Sequence, residues 1–87
     1  MVSKILVTGG AGFIGSHTVL QLLLSNYSVI VLDNLENSSV ESLKRVCEIA
    51  DKKIEFVEGD VRDKKVLNKL FSEYHVESVI HFAGLKA

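Results

Sequence analysis

The sequence predicts an α/β fold: a doubly wound parallel sheet of four strands in the order 3-2-1-4, with helices on both faces. Three observations predict it. Four short runs of β-branched and aliphatic residues recur along the chain. Between them lie three stretches whose apolar residues fall at helical spacing. A glycine-rich turn separates the first strand from the first helix. Strands alternating with helices of this length imply parallel pairing through right-handed crossovers.

The first strand is read from Lys4 to Thr8 (KILVT), ending at Gly9-Gly10. From Gly12 the period changes, and Phe13, Ile14, His17, Leu20, Gln21 and Leu24 fall at helical spacing until Ser25-Asn26. This helix is apolar around much of its surface, which predicts deep packing. Ser28 to Leu32 (SVIVL) is the second strand, followed by a polar loop from Asp33 to Ser39 (DNLENSS). Ser38 with Glu41 fits a capping box, and Val40, Leu43, Val46, Cys47 and Ala50 then follow helical spacing. Lys53 to Val57 (KIEFV) alternates as a third strand, and Glu58 to Asp63 (EGDVRD) is a loop. Asp63 caps a helix with apolar positions Val66, Leu67, Leu70, Phe71 and Tyr74. Glu77 to Phe82 (ESVIHF) is the fourth strand, broken by Ala83-Gly84.

Composition excludes several function classes. The 87 residues carry a net charge of −1 and no basic run, so neither nucleic acid nor an anionic membrane is an expected partner. No apolar stretch approaches the ~20 residues of a membrane span. The single cysteine, Cys47, rules out an internal disulfide and suits a reducing cytoplasm; it reads as a core residue. His17, His75 and His81 share no metal-ligand spacing, so no metal site is expected. His75 is placed at a helix end, and His81 reads as a hydrogen-bonded core residue of the fourth strand.

The glycine turn carries the chemistry. Gly10, Gly12 and Gly15 fit G-x-G-x-x-G, and Gly9, Gly12 and Gly15 fit T-G-x-x-G-x-x-G from Thr8. Small residues let the chain turn sharply, let its backbone approach a pyrophosphate and let the helix pack close to the strand. The helix N-terminus then supplies N–H groups and partial positive charge to the anion. Loops collect glycine, so the pattern alone is weak, but following a strand and opening a helix it points to a dinucleotide. Asp33, eighteen positions after Gly15, ends the second strand. A carboxylate there accepts from the adenosine ribose hydroxyls and repels a 2′-phosphate, favouring NAD over NADP; the plainer reading is a solvated loop acid. Asp60, after the third strand, is read as a partner for the adenine amino group beside the Val61 backbone, or else as a turn cap. Phe82 to Lys86 (FAGLK) lies across the crevice, where Ala83 and Gly84 allow close backbone approach. Taken alone, Lys86 reads more simply as a solvated lysine than as a ribose or phosphate contact.

Four segments then stand in order: Thr8 to His17 (TGGAGFIGSH), Asp33 to Ser38 (DNLENS), Gly59 to Asp63 (GDVRD) and His81 to Ala87 (HFAGLKA). Together they resemble the UDP-glucose 4-epimerases of the extended short-chain dehydrogenase/reductase family, whose cofactor domain is a Rossmann fold. The resemblance covers essentially the whole chain but only the front of the family's usual length. It implies a cofactor site of Gly9, Gly12, Phe13, Ile14 and Gly15 at the pyrophosphate; Asp33, Asn34, Leu35, Glu36, Asn37 and Ser38 around the ribose; Asp60 and Val61 at adenine; and Phe82, Ala83, Gly84, Leu85 and Lys86 beside the nicotinamide. It also implies NAD as cofactor, a UDP-sugar substrate and a homodimer at full length. The family's Y-x-x-x-K catalytic motif is absent, since Tyr27 is followed four positions later by Val31 and Tyr74 by Ser78. Residues 1–87 are therefore read as the N-terminal part of the NAD-binding domain, with no catalytic residue and no substrate domain. A stand-alone NAD-binding module, or a related nucleotide-sugar dehydratase or decarboxylase, are the alternative readings.

Overall fold

The computed structural model describes residues 3–36 and 38–82. The order is β1 (Ser3–Thr8), α1 (Phe13–Leu24), β2 (Ser28–Asp33), α2 (Val40–Ala50), β3 (Glu55–Glu58), α3 (Lys64–Glu73) and β4 (His75–His81). All pairings are parallel, and the sheet order is β3-β2-β1-β4, as the alternation of strand and helix predicts.

Strand alternation builds two cores, one on each face. Ile5 and Val7 of β1 and Val29 and Val31 of β2 point to one face, where Val19 and Leu23 of α1 and Leu43 and Val46 of α2 cover them. Leu6, Ile30 and Leu32 point to the other, against Leu70 of α3 with Val57, Val66 and Leu67 beside it. β1 and β2 therefore read as continuous apolar runs because both of their faces are covered. Among the described residues only α3 lies on the second face, and Val79 of β4 and Phe71 of α3 stay exposed.

Helix ends follow local chemistry. α1 stops in a Schellman motif: Asn26 takes the left-handed conformation (φ 68°), its N–H donates to Leu23 O and the Tyr27 N–H donates to Leu22 O. α2 stops with the same pair of bonds, from Asp51 (φ 53°) to Glu48 O and from Lys52 to Cys47 O. Asp63 caps α3 as expected, accepting from the Lys65 N–H at 3.0 Å.

Several sequence expectations need correction. The cap of α2 is Ser39, which accepts from the Glu41 N–H at 3.0 Å, because Ser38 is engaged elsewhere. β3 starts two residues later than its alternation suggests, and β4 starts two earlier, so His75 opens a strand rather than ending a helix. α1 is not packed all round. Its Gly15, Ser16, Val19 and Leu23 are buried, whereas Phe13, Ile14 and Leu24 are exposed, since only one stripe of a helix can face the sheet. Cys47 is only half-buried, at the margin of the α2 contact, and desolvation raises its thiol pKa. His81 is hydrogen-bonded but exposed, because α3 reaches β4 at Val76, near the strand's start, and no helix among the described residues covers the end where His81 stands.

Candidate functional site

β1 and β2 deliver their carboxyl ends side by side, and the glycine turn rises between them. Gly9 takes a positive φ of 73°, and its N–H donates to Leu32 O at 2.8 Å. The turn then closes through Gly12 N–H to Gly9 O at 3.2 Å. A Cβ on Gly15 would lie 2.2 Å from Gly9 O and 2.9 Å from Gly10 Cα, so only glycine lets the helix start this close to the turn.

Gly12 is different. Its φ is −75°, and a Cβ there would meet only Gly9 O, at an ordinary 3.5 Å. Nothing among the described residues requires glycine at this position. Its effect is to leave open space before the N-terminus of α1. α2 and α3 are capped by side chains, but α1 is not. Among the described residues, no acceptor takes the N–H groups of Phe13, Ile14 and Gly15; the first such bond in the helix is Ser16 N–H to Gly12 O at 2.8 Å. Open space, unpaired donors and the positive end of a helix dipole fit a phosphate group.

Asp33 ends β2 and is buried, at 7% exposure. Its carboxylate is a hub. Oδ2 accepts from the Ala11 N–H of the glycine turn at 3.0 Å. Oδ1 accepts from the Leu35 N–H at 2.8 Å and from Ser38 Oγ at 3.1 Å. A carboxylate oxygen accepts about two bonds, so one position remains on Oδ2 for a ligand hydroxyl. One side chain thus fixes both the glycine turn and the loop after β2. Leu35 in that loop holds a left-handed φ of 59°, a conformation costing roughly 1–2 kcal/mol that the Asp33 bond and its packing on the first core sustain. Asn34 Oδ1 accepts from the Glu36 N–H at 2.9 Å, completing the loop.

The loop after β3 lies alongside. Asp60 accepts from the Arg62 N–H (2.8 Å), Nε (3.0 Å) and Nη2 (2.7 Å), a forked pair at the surface. These bonds hold the Asp60 carboxyl far below the usual carboxylate range. Asn34 assists that shift, and Glu36 acts on Arg62, so the loops after β2 and β3 form one polar rim. The Val61 side chain packs on the second core. Phe82 packs on the first, and its N–H donates to Thr8 O at 2.8 Å.

Gly9, Gly12, Phe13, Ile14, Gly15, Asp33, Asn34, Leu35, Glu36, Ser38, Asp60, Val61 and Phe82 thus gather at the carboxyl edge of the sheet; Asn37, Ala83, Gly84, Leu85 and Lys86 lie outside the described residues. Sequence reasoning missed Ser42, whose Oγ donates to Ala11 O at 2.7 Å and ties α2 to the turn. It also missed the bond between Thr8 Oγ1 and His81 Nδ1, at 2.6 Å. Neither pair has a local signature, since the partners stand far apart in the chain. No helix among the described residues is long and apolar enough to cross a membrane, and no metal-binding cluster occurs among them.

Comparison with known proteins agrees with this geometry. Residues 6–87 match the family model described as GDP-mannose 4,6 dehydratase. The chain is 60% identical over 83 residues to the UDP-glucose 4-epimerase of Pasteurella multocida, covering 95% of this chain and 25% of that protein. It is 58% identical over 83 residues to the enzyme of that name from Bacillus subtilis, covering 95% of this chain and 24% of the relative. The solved UDP-glucose 4-epimerase of Bifidobacterium longum, in complex with NAD+ and UDP, superimposes with a TM-score of 0.93 at 50% identity, covering 97% of this chain and 25% of that one. The Thermus thermophilus enzyme, in complex with NAD, does so with a TM-score of 0.82 at 38% identity, again over 97% and 25%. The chain therefore spans about a quarter of the length of the relatives it matches. With its sheet order, its glycine turn and its sequence all in agreement, the chain belongs to the family of that model, described as GDP-mannose 4,6 dehydratase, and is similar in particular to UDP-glucose 4-epimerases.

Proposed function

We propose that these residues form the NAD-binding segment of a nucleotide-sugar epimerase that interconverts UDP-glucose and UDP-galactose. One observation carries the cofactor reading: an uncapped α1 N-terminus faces open space at Gly12, with the turn tied to buried Asp33. When bound, NAD would supply the hydride acceptor and donor. The Phe13, Ile14 and Gly15 N–H groups would bind its pyrophosphate. The open position on Asp33 Oδ2 would take a ribose hydroxyl, and the same negative charge would repel a 2′-phosphate. Asn34, Leu35, Glu36, Asn37 and Ser38 would enclose the ribose, Asp60 and Val61 would meet adenine, and Phe82 to Lys86 would line the nicotinamide side. Relatives named UDP-glucose 4-epimerase support the substrate, although the family model is described by a dehydratase. Action within galactose metabolism, a cytoplasmic location and a full-length homodimer belong to the same proposal. Its catalytic Tyr/Lys pair and sugar pocket would lie outside residues 1–87.

Calorimetric titration with NAD and NADP tests the cofactor reading. The expected outcome is that NAD binds the chain and that Asp33→Ala weakens NAD far more than NADP. The ratio reads the ribose contact, since disordering the turn lowers both affinities; equal losses would end that assignment. For the substrate, the protein carrying this segment is captured from its cells, its mass measured and UDP-galactose supplied. A mass several-fold above 9.6 kDa with turnover supports the epimerase. Turnover by the purified 87 residues would overturn the placement of the catalytic groups elsewhere.

A further inference from the structure

The last residue of β1 is held from both sides, by unlike means. Towards β2, the Gly9 N–H donates to Leu32 O, and β2 is buried throughout most of its length. Towards β4, the Phe82 N–H donates to Thr8 O, and Thr8 Oγ1 bonds His81 Nδ1 at 2.6 Å. Thr8 and His81 are register partners, so this bond joins the carboxyl ends of β1 and β4, 73 residues apart in sequence. β4 pairs on one side only among the described residues, and its Val79 is exposed.

The protons can be counted. Thr8 is buried, and Oγ1 has no other partner among the described residues. Its hydroxyl proton is satisfied when it donates to Nδ1, the role open to the tautomer that carries its proton on Nε2. The glycine turn departs from Thr8 at the next residue, and the opposite wall begins at Phe82, the residue after His81. The bonded pair therefore stands at the root of both walls.

We propose that the Thr8–His81 bond is a strap that sets the spacing of the crevice, which makes His81 a positioning residue for dinucleotide binding. The proposal rests on the NAD reading above. Without the strap the two walls sample several spacings. A ligand bridging them then binds only the competent fraction, and its affinity falls by that fraction. A neutral hydrogen bond contributes a factor of roughly three to ten.

Substitutions that imitate one ring nitrogen at a time test it. Asparagine places an amide atom near the position of Nδ1, whereas glutamine reaches that of Nε2. Calorimetric titration with NAD is expected to give affinities within about twofold of the parent for Thr8→Ser and His81→Asn, and losses of about three- to tenfold for Thr8→Val and His81→Gln. The Thr8→Val/His81→Gln pair is expected to bind no more weakly than either single variant, because both remove one bond. Rescue by glutamine instead of asparagine, or losses that multiply, would overturn the strap. Amide exchange of Phe82 without ligand separates this from failure of the NAD reading. Faster exchange in Thr8→Val and His81→Gln than in the parent supports the strap whether or not NAD binds, and unchanged exchange refutes it. His81 is exposed, so its variants keep the fold testable even if Thr8→Val does not.

Discussion

Replacing Asp33 by asparagine keeps the shape of the side chain and removes its charge. Asparagine retains one carbonyl oxygen. Placed at Oδ1, that oxygen keeps the Leu35 N–H and Ser38 Oγ and turns an NH2 group onto the Ala11 N–H, donor against donor. The other rotamer keeps Ala11 and opposes Leu35. Either way one charge-assisted bond is lost and one buried N–H of the glycine turn or its neighbouring loop is orphaned, a cost of about 2–3 kcal/mol. A domain of this size has roughly 4–13 kcal/mol of stability, and each 1 kcal/mol moves its melting temperature by about 4–8 °C. Asp33→Asn should therefore lower the melting temperature by about 10–20 °C with no ligand present. Ser38→Ala removes only the hydroxyl bond and should cost about 1 kcal/mol. Thermal unfolding followed by circular dichroism reads both. If Asp33→Asn melts within about 2 °C of the parent, the carboxylate is not a structural hub and serves a ligand alone.

Other perturbations follow from single distances and angles. Gly15→Ala drives a Cβ to 2.2 Å from Gly9 O and should unfold the turn or the chain, whereas Gly12→Ala, with its nearest contact at 3.5 Å, should melt normally yet lose NAD affinity; a melting curve and a titration on each variant separate the two roles. Asp51 holds a φ of 53° at the end of α2, where its charge also opposes the helix dipole, so Asp51→Gly should raise stability by about 0.5–1 kcal/mol in urea unfolding. The Arg62 fork depresses the Asp60 pKa from its usual 3.8, and a depressed folded-state pKa means stability that is present above 3.8 and lost as pH falls below it. Asp60→Asn should thus cost a little stability at pH 7, small because the pair is exposed, and make the loss below about pH 4 shallower by a like amount; urea midpoints at pH 5 and pH 3 check the sign.

The sequence by itself determined the element order, the parallel sheet and the position of the glycine turn. Those features rest on information written within a few residues: the switch from period 2 to period 3.6, the double-faced burial of KILVT and SVIVL, and glycines where a strand meets a helix. Helix caps and strand ends were less legible. Ser38 and Ser39 are equivalent to a local pattern, and only the nearness of Asp33 drew Ser38 away and left Ser39 as the cap. Likewise β4 begins at His75 because its pairing with β1 shifts register between Lys4 and Ile5, an irregularity that periodicity in one strand does not encode. Tertiary structure alone decided what the site residues touch. Asp33 was legible as an acid at a strand end, but its bond to Ala11, like those of Ser42 to Ala11 and His81 to Thr8, joins residues 22 to 73 positions apart. Such pairs meet only after the sheet has formed, because hydrogen bonds are short and directional, while the patterns that predict elements are set by burial, which averages over a whole face.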